Sequence, residues 1–152
     1  MSTIKVDTYL TRGGASEIAI DKLKGASSAG SMTVVGEGGT NTTNLQQGLG
    51  KAWLRMDGGD GGSISTGDSF NIASVTDQAA GNYRVAITND MSSAQYSATT
   101  AGGGSADNDT LTAVSTPNPN FAAGTLDLDC VYVHQTAFDP KIISLTLNGD
   151  LA

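Results

Sequence analysis

Scarcity sets the first limits on this chain. Its 152 residues include one cysteine, one histidine, one tryptophan and three prolines, and only 5% are aromatic. A single thiol, Cys130, excludes an internal disulfide framework and any cysteine-rich zinc site. Its setting in the run Leu128-Asp129-Cys130-Val131-Tyr132-Val133 fits a small hydrophobe in a strand better than a reactive thiol. No apolar run approaches the roughly 18 residues that span a bilayer as a helix. No charged and then apolar leader opens the sequence. The expectation is a protein assembled in a cytoplasm, soluble there or released by lysis.

Catalytic signals are equally sparse. The lone histidine, His134, follows the strand-like run Val131 to Val133, the setting of an edge or turn residue rather than a general base. The glycine-flanked serine of a nucleophile elbow, the paired histidines of a zinc protease and the glycine-rich phosphate loop are all missing. A non-enzymatic protein without a cofactor is expected. The loop Asp57 to Gly62, read as a flexible turn outside the core, holds Asp60 and, with Asp68 beyond it, offers two or three carboxylates, fewer than the six to eight oxygens calcium takes. Asp107, Asn108 and Asp109 form a similar small cluster. Neither is assigned a metal.

What the chain has in quantity is glycine, 20 residues of it, together with serine, threonine, asparagine and aspartate. Glycine, asparagine and aspartate tolerate the positive φ of tight turns, so this mixture suits short strands joined by many turns. The charge is uneven. Through Gly48 four bases meet four acids; from Leu49 onward four bases meet eleven aspartates, which accounts for the whole net charge of -7. An acidic domain with no basic stripe repels phosphate backbones and anionic lipid, so neither nucleic acid nor a membrane is an expected partner.

Periodicity divides the chain at about residue 48. Before it, Ile4 and Val6 alternate with polar residues, Ile18, Ile20 and Leu23 form a short run open to a strand or a helical reading, and Met32 and Val34 interrupt a stretch of small residues. So little apolar mass cannot fold alone. Residues 1–48 are therefore read as an extended anchoring arm, with Ile4, Val6, Ile18, Ile20, Leu23, Met32 and Val34 as its contacts to a partner. Thr43-Asn44-Leu45 resembles a capped helix start, and Leu45, Leu49, Ala52 and Trp53 fall at helical spacing despite Gly48 and Gly50. Leu45, Leu49 and Trp53 are the candidates for a stripe lining an oligomer axis.

After residue 49 the period becomes two. Ala52, Leu54 and Met56 alternate with Trp53, Arg55 and Asp57; Phe70, Ile72 and Ser74 alternate with Asn71, Ala73 and Val75; Tyr83, Val85 and Ile87 alternate with Arg84, Ala86 and Thr88. Tyr96 to Thr100, Thr110 to Ser115, Leu126 to Val133 and Ile142 to Leu147 supply further strands. The prediction is an all-β fold: an antiparallel β-sandwich, jelly-roll-like, over residues 49–152, preceded by the arm and a short helix. Trp53, Tyr83, Tyr96 and Tyr132 lie within strands and suit packing. Phe121, after Thr116-Pro117-Asn118-Pro119-Asn120, is the one aromatic expected on an exposed loop.

Four segments together resemble tail-fibre or virion appendage proteins of tailed phages, many from marine hosts. They are Met1 to Asp7, Thr42-Thr43-Asn44-Leu45-Gln46-Gln47-Gly48-Leu49-Gly50-Lys51-Ala52-Trp53, Asp68 to Asp77 with Gly81-Asn82-Tyr83, and Asn148-Gly149-Asp150-Leu151-Ala152. The resemblance implies a place on the virion exterior, an N-terminal attachment segment, a C-terminal β domain and a homotrimer. The partners it implies are other virion proteins, of capsid or tail, and for a fibre a host-surface receptor. Two functions follow as expectations. One is a structural decoration or short appendage held by its arm. The other is a receptor-binding tail fibre or tip.

Overall fold

A computed structural model describes residues 23, 32–60, 62–104, 112–115, 121–132 and 136–152. Within them the protein is built from strands and one single-turn helix. The order is β1 (Thr33–Val35), β2 (Thr42–Asn44), α1 (Leu45–Gly48), β3 (Gly50–Asp57), β4 (Ser65–Phe70), β5 (Ile72–Ala79), β6 (Asn82–Ile87), β7 (Ser97–Gly103), β8 (Thr112–Ser115), β9 (Thr125–Tyr132) and β10 (Ile142–Asn148). Two four-stranded antiparallel sheets, ordered β4-β3-β10-β7 and β5-β6-β9-β8, pack face to face. β1 and β2 form a separate antiparallel hairpin. The all-β sandwich expected from the period-two runs is the fold observed.

The core explains the alternation. Each central strand turns three residues inward: Ala52, Leu54 and Met56 from β3, Ile143, Leu145 and Leu147 from β10, Tyr83, Val85 and Ile87 from β6, and Leu126, Leu128 and Cys130 from β9. Met91 joins them from the connection after β6. Removing a side chain of leucine or isoleucine size from water is worth about 1.5–3 kcal/mol, so these twelve strand positions dominate the stabilisation. Cys130 is fully buried, as its strand setting indicates.

Three local readings need correction. The helix does not continue to Trp53: α1 ends at Gly48, Leu49 is already extended (φ -90°, ψ 140°), and Gly50 pairs with Asn148. Two glycines lower the worth of a helix here, while ladder pairing with β10 rewards extension. Leu45, Leu49 and Trp53 therefore do not form one helical stripe.

The run from Phe70 to Val75 is not one strand. β4 ends at Phe70, β5 starts at Ile72, and Asn71 between them has φ 58°, carrying the chain from one sheet to the other. Asparagine tolerates this left-handed corner. Its side chain secures it, donating to the carbonyls of Lys51 (3.0 Å) and Asn89 (3.1 Å) and accepting from the Asn89 backbone N–H (2.8 Å). A register shift between Ile72 and Ser74 then turns Val75 inward opposite Val85.

The loop after β3, expected to lie outside the core, begins inside it. Gly58 and Gly59 are buried, and the Gly58 N–H donates to the Pro140 carbonyl at 2.8 Å. The Tyr83 hydroxyl lies 2.7 Å from the Gly58 carbonyl and 2.8 Å from Asp139 Oδ1, both acceptors for its one proton. A Cβ on Gly58 would approach the Pro140 oxygen to 2.5 Å. Close approach of two loops, not turn flexibility, is what requires glycine there.

Candidate functional site

The arm residues Ile4, Val6, Ile18 and Ile20 lie outside the described residues, as do His134, Asp107, Asn108 and Asp109. Leu23 is exposed, Met32 is half-buried, and Val34 stands 53% exposed beside Val35 in β1. The hairpin thus displays two valines that are more than half exposed.

A junction ties this hairpin to the sandwich. Asn44 caps α1 by accepting from the Gln47 N–H at 3.1 Å, and the Leu45 N–H donates to the Met32 carbonyl at 2.9 Å. Lys51 sits at the irregularity where β3 and β10 shift register and is 7% exposed, with its ammonium donating to the Gln46 carbonyl. A cation suits the carbonyl end of a helix. The Gln47 amide donates to Asp150 Oδ2 at 3.3 Å. Between these groups and the chain end opens a cleft of about 760 Å³ lined by Asn44, Gln46, Gln47, Lys51, Ser92 and Asp150 among others. Of the residues expected along an oligomer axis, Leu45 is half-buried and Leu49 exposed at this junction, whereas Trp53 lies on β3.

The two outer faces of the sandwich differ. On the β5-β6-β9-β8 side, Arg84 makes a two-pronged contact with Asp127, at 2.7 and 2.8 Å, and Asn82 donates to Asp129. The hydrogen bond and then the charge of Asp127 raise the Arg84 pKa above its ordinary value. These four polar side chains satisfy one another in pairs. On the β4-β3-β10-β7 side, Trp53 and Phe70 are directly opposed cross-strand partners facing solvent, 39% and 54% exposed. Ile142 is also exposed on this side. Phe70 was not singled out by the sequence, because its role depends on ending β4 beside Trp53.

A third feature lies near β7. Tyr96 and Phe121 meet with ring centroids 4.9 Å apart at 47°, flanking an open groove of about 500 Å³ with Ala94, Gln95 and Ser97. The Tyr96 hydroxyl lies 3.1 Å from the Ala122 carbonyl and 3.2 Å from that of Thr125. Phe121, expected to be exposed, is half-buried by this contact.

Three side chains in this framework, Cys130, Tyr96 and Tyr83, are held in their protonated, neutral forms. Burial, reinforced by Asp129 and Asp139, pushes the Cys130 thiol up to about 12, and burial pushes Tyr96 up to about 12. Tyr83 is raised further, by burial and then by Asp139. A thiol kept protonated and enclosed is a poor nucleophile. Among the described residues no group of three or more histidine, cysteine, aspartate or glutamate side chains is gathered where it would hold a metal ion, Asp60 and Asp68 included. No described helix is long and apolar enough to cross a membrane. Among the described residues the arrangement offers two aromatic surfaces, the exposed Trp53 and Phe70 pair and the groove beside Tyr96 and Phe121. Compared with protein-family models, with curated proteins and with solved structures, the chain has no match.

Proposed function

We propose that this chain is a non-enzymatic structural protein of a tailed-phage virion, a surface decoration or short appendage. Residues 1–48 hold it to a neighbouring capsid or tail protein, and the sandwich from Gly50 onward projects from the particle. The observation that carries the reading is the construction of the junction. A hairpin exposing Val34 and Val35 is tethered through α1, Lys51 and Gln47 to a sandwich whose core is complete without it. Segments of this kind gain their stability from a partner, through main-chain hydrogen bonds and a few side-chain pockets. The negative charge of the sandwich keeps it soluble and facing water. A chain lacking residues 1–48 should fold and stay soluble yet fail to join particles, while residues 1–48 fused to an unrelated soluble domain should be incorporated. Efficient incorporation of the truncated chain defeats the proposal.

The reading includes a homotrimer joined through the junction, where Leu45 and Leu49 project. Leu45→Asp with Leu49→Asp should dissociate it and leave the sandwich folded; a double variant that stays trimeric moves the axis elsewhere. A second reading, a receptor-binding tail fibre or tip, draws on the exposed Trp53 and Phe70 pair. Copy number separates the two: hundreds per particle for capsid decoration, a handful for a fibre.

A further inference from the structure

We propose that the outer face of the β4-β3-β10-β7 sheet is a binding platform for an uncharged polysaccharide, with the Trp53 and Phe70 rings as its stacking surface. This deepens the receptor-binding reading, and its failure leaves the virion reading intact.

Phe70 on β4 opposes Trp53 on β3, Trp53 opposes Thr146 on β10, and Thr146 opposes Thr99 on β7, so one row crosses all four strands on the solvent side. Neighbouring strands lie about 4.8 Å apart, comparable to the length of one sugar ring in a chain. A glycan laid across the strands therefore sets successive rings over two aromatics and then two threonine hydroxyls. The negative π-face of an aromatic ring attracts the slightly positive C–H groups on the flat side of a sugar. The threonines supply donors and acceptors for its hydroxyls. In the next row Asp68, Arg55 and Ser144 stand side by side, offering more of both with no net charge between Asp68 and Arg55.

Two features choose an uncharged glycan over other occupants. The core of a protein interface is enriched in apolar groups and depleted of charge. Here the two aromatics are flanked by threonine, serine, arginine and aspartate, with Ile142 the sole large aliphatic side chain exposed on this sheet. The chain carries -7, which repels polyanionic glycans. On the opposite face, among the described side chains, Arg84 and Asp127, and Asn82 and Asp129, are engaged with each other.

Trp53 is the only tryptophan, so its fluorescence reports this face directly. The full chain is titrated with uncharged hexasaccharides of α- and β-linked glucose and of N-acetylglucosamine, with a polyuronate as the anionic control. The expected result is a saturable change in emission with at least one uncharged glycan and none with the polyuronate. Phe70→Ala should weaken that binding at least tenfold with an unchanged far-UV spectrum, and Trp53→Ala should abolish retardation in a gel containing the same glycan. Silence across the uncharged panel at millimolar concentration overturns the proposal, as does binding retained in both variants. So does emission of the protein alone that shifts to the red on dilution and loses that shift in Phe70→Ala, since the face would then belong to a second copy. Incorporation of Trp53→Ala into particles tests the virion reading separately, because that reading expects it to be unimpaired.

Discussion

The hairpin segment and the sandwich are both made of antiparallel strands, yet they use apolar residues in opposite ways. In the sandwich, inward positions of four central strands meet across the sheets, and residues such as Leu126, Leu128 and Ile143 lose all contact with water. In the hairpin, β1 and β2 pair with no third strand among the described residues, and Val34 and Val35 stay more than half exposed. Two paired strands with no second layer are marginal in water, whereas two layers close a core. A strand is stabilised by what covers it, so the hairpin's apolar side chains are available to a partner and the sandwich's are not.

The largest way to break this contrast is to cut into the core. Leu54→Ala should cost about 2–5 kcal/mol, through lost burial and the cavity left behind; chemical denaturation measures it, and a loss below 1 kcal/mol means that β3 is not a central core strand. Gly81→Ala comes next. Gly81 has φ +71°, and a Cβ there would run into the Cys130 carbonyl and the Phe138 backbone. Strain of this kind is worth about 1–3 kcal/mol, and a neutral Gly81→Ala denies the close packing of the β5–β6 turn on β9.

Alkaline pH probes the same core without mutation. Cys130 is raised from 9.0 to about 12 and Tyr96 from 10.0 to about 12, so the folded state holds protons that the unfolded chain releases. Stability is therefore full below pH 9 and falls as pH rises toward 12, with Cys130 contributing at most about 1.4 kcal/mol per pH unit. Thermal melting from pH 7 to 11 should show Tm constant and then declining, and Cys130→Ala should flatten the onset near pH 9. A Tm that rises above pH 9 contradicts the buried placement of the thiol.

Asn71→Ala should cost about 1–2 kcal/mol, since it removes the bonds that hold the left-handed corner and leaves a residue less suited to it. Asn71→Gly, which keeps the conformational freedom, should recover part of the loss. The smallest effect is expected in the hairpin. Val34→Ala with Val35→Ala should change the stability of the isolated protein by less than about 0.5 kcal/mol, as surface substitutions do, while lowering incorporation into particles. A destabilisation as large as that of Leu54→Ala means the hairpin packs on the sandwich.

Much of this was legible along the chain, because period two is a direct consequence of strand geometry. The inward sets of β3, β6, β9 and β10 are the alternating runs around Leu54, Val85, Leu128 and Leu145. Lys51, Arg84 and Asp127 gave no such signal. Each is an ordinary charged residue until a partner remote in sequence, or a shift in register, closes on it. Trp53 was legible as a strand residue, but its exposure was not.

The amino-acid sequence by itself determined that strands form, where the turns between most of them fall, and which side of each central strand is apolar, since these follow from local conformational preference and alternation. Only the tertiary structure decided which strands became neighbours, that Asn71 sends the chain from one sheet to the other, that Gly58 is buried under Pro140 and Tyr83, and that Trp53 and Phe70 stand side by side in solvent. The reason is physical. Alternation says that a strand has two faces, while the pairing of segments distant in the chain says what each face meets.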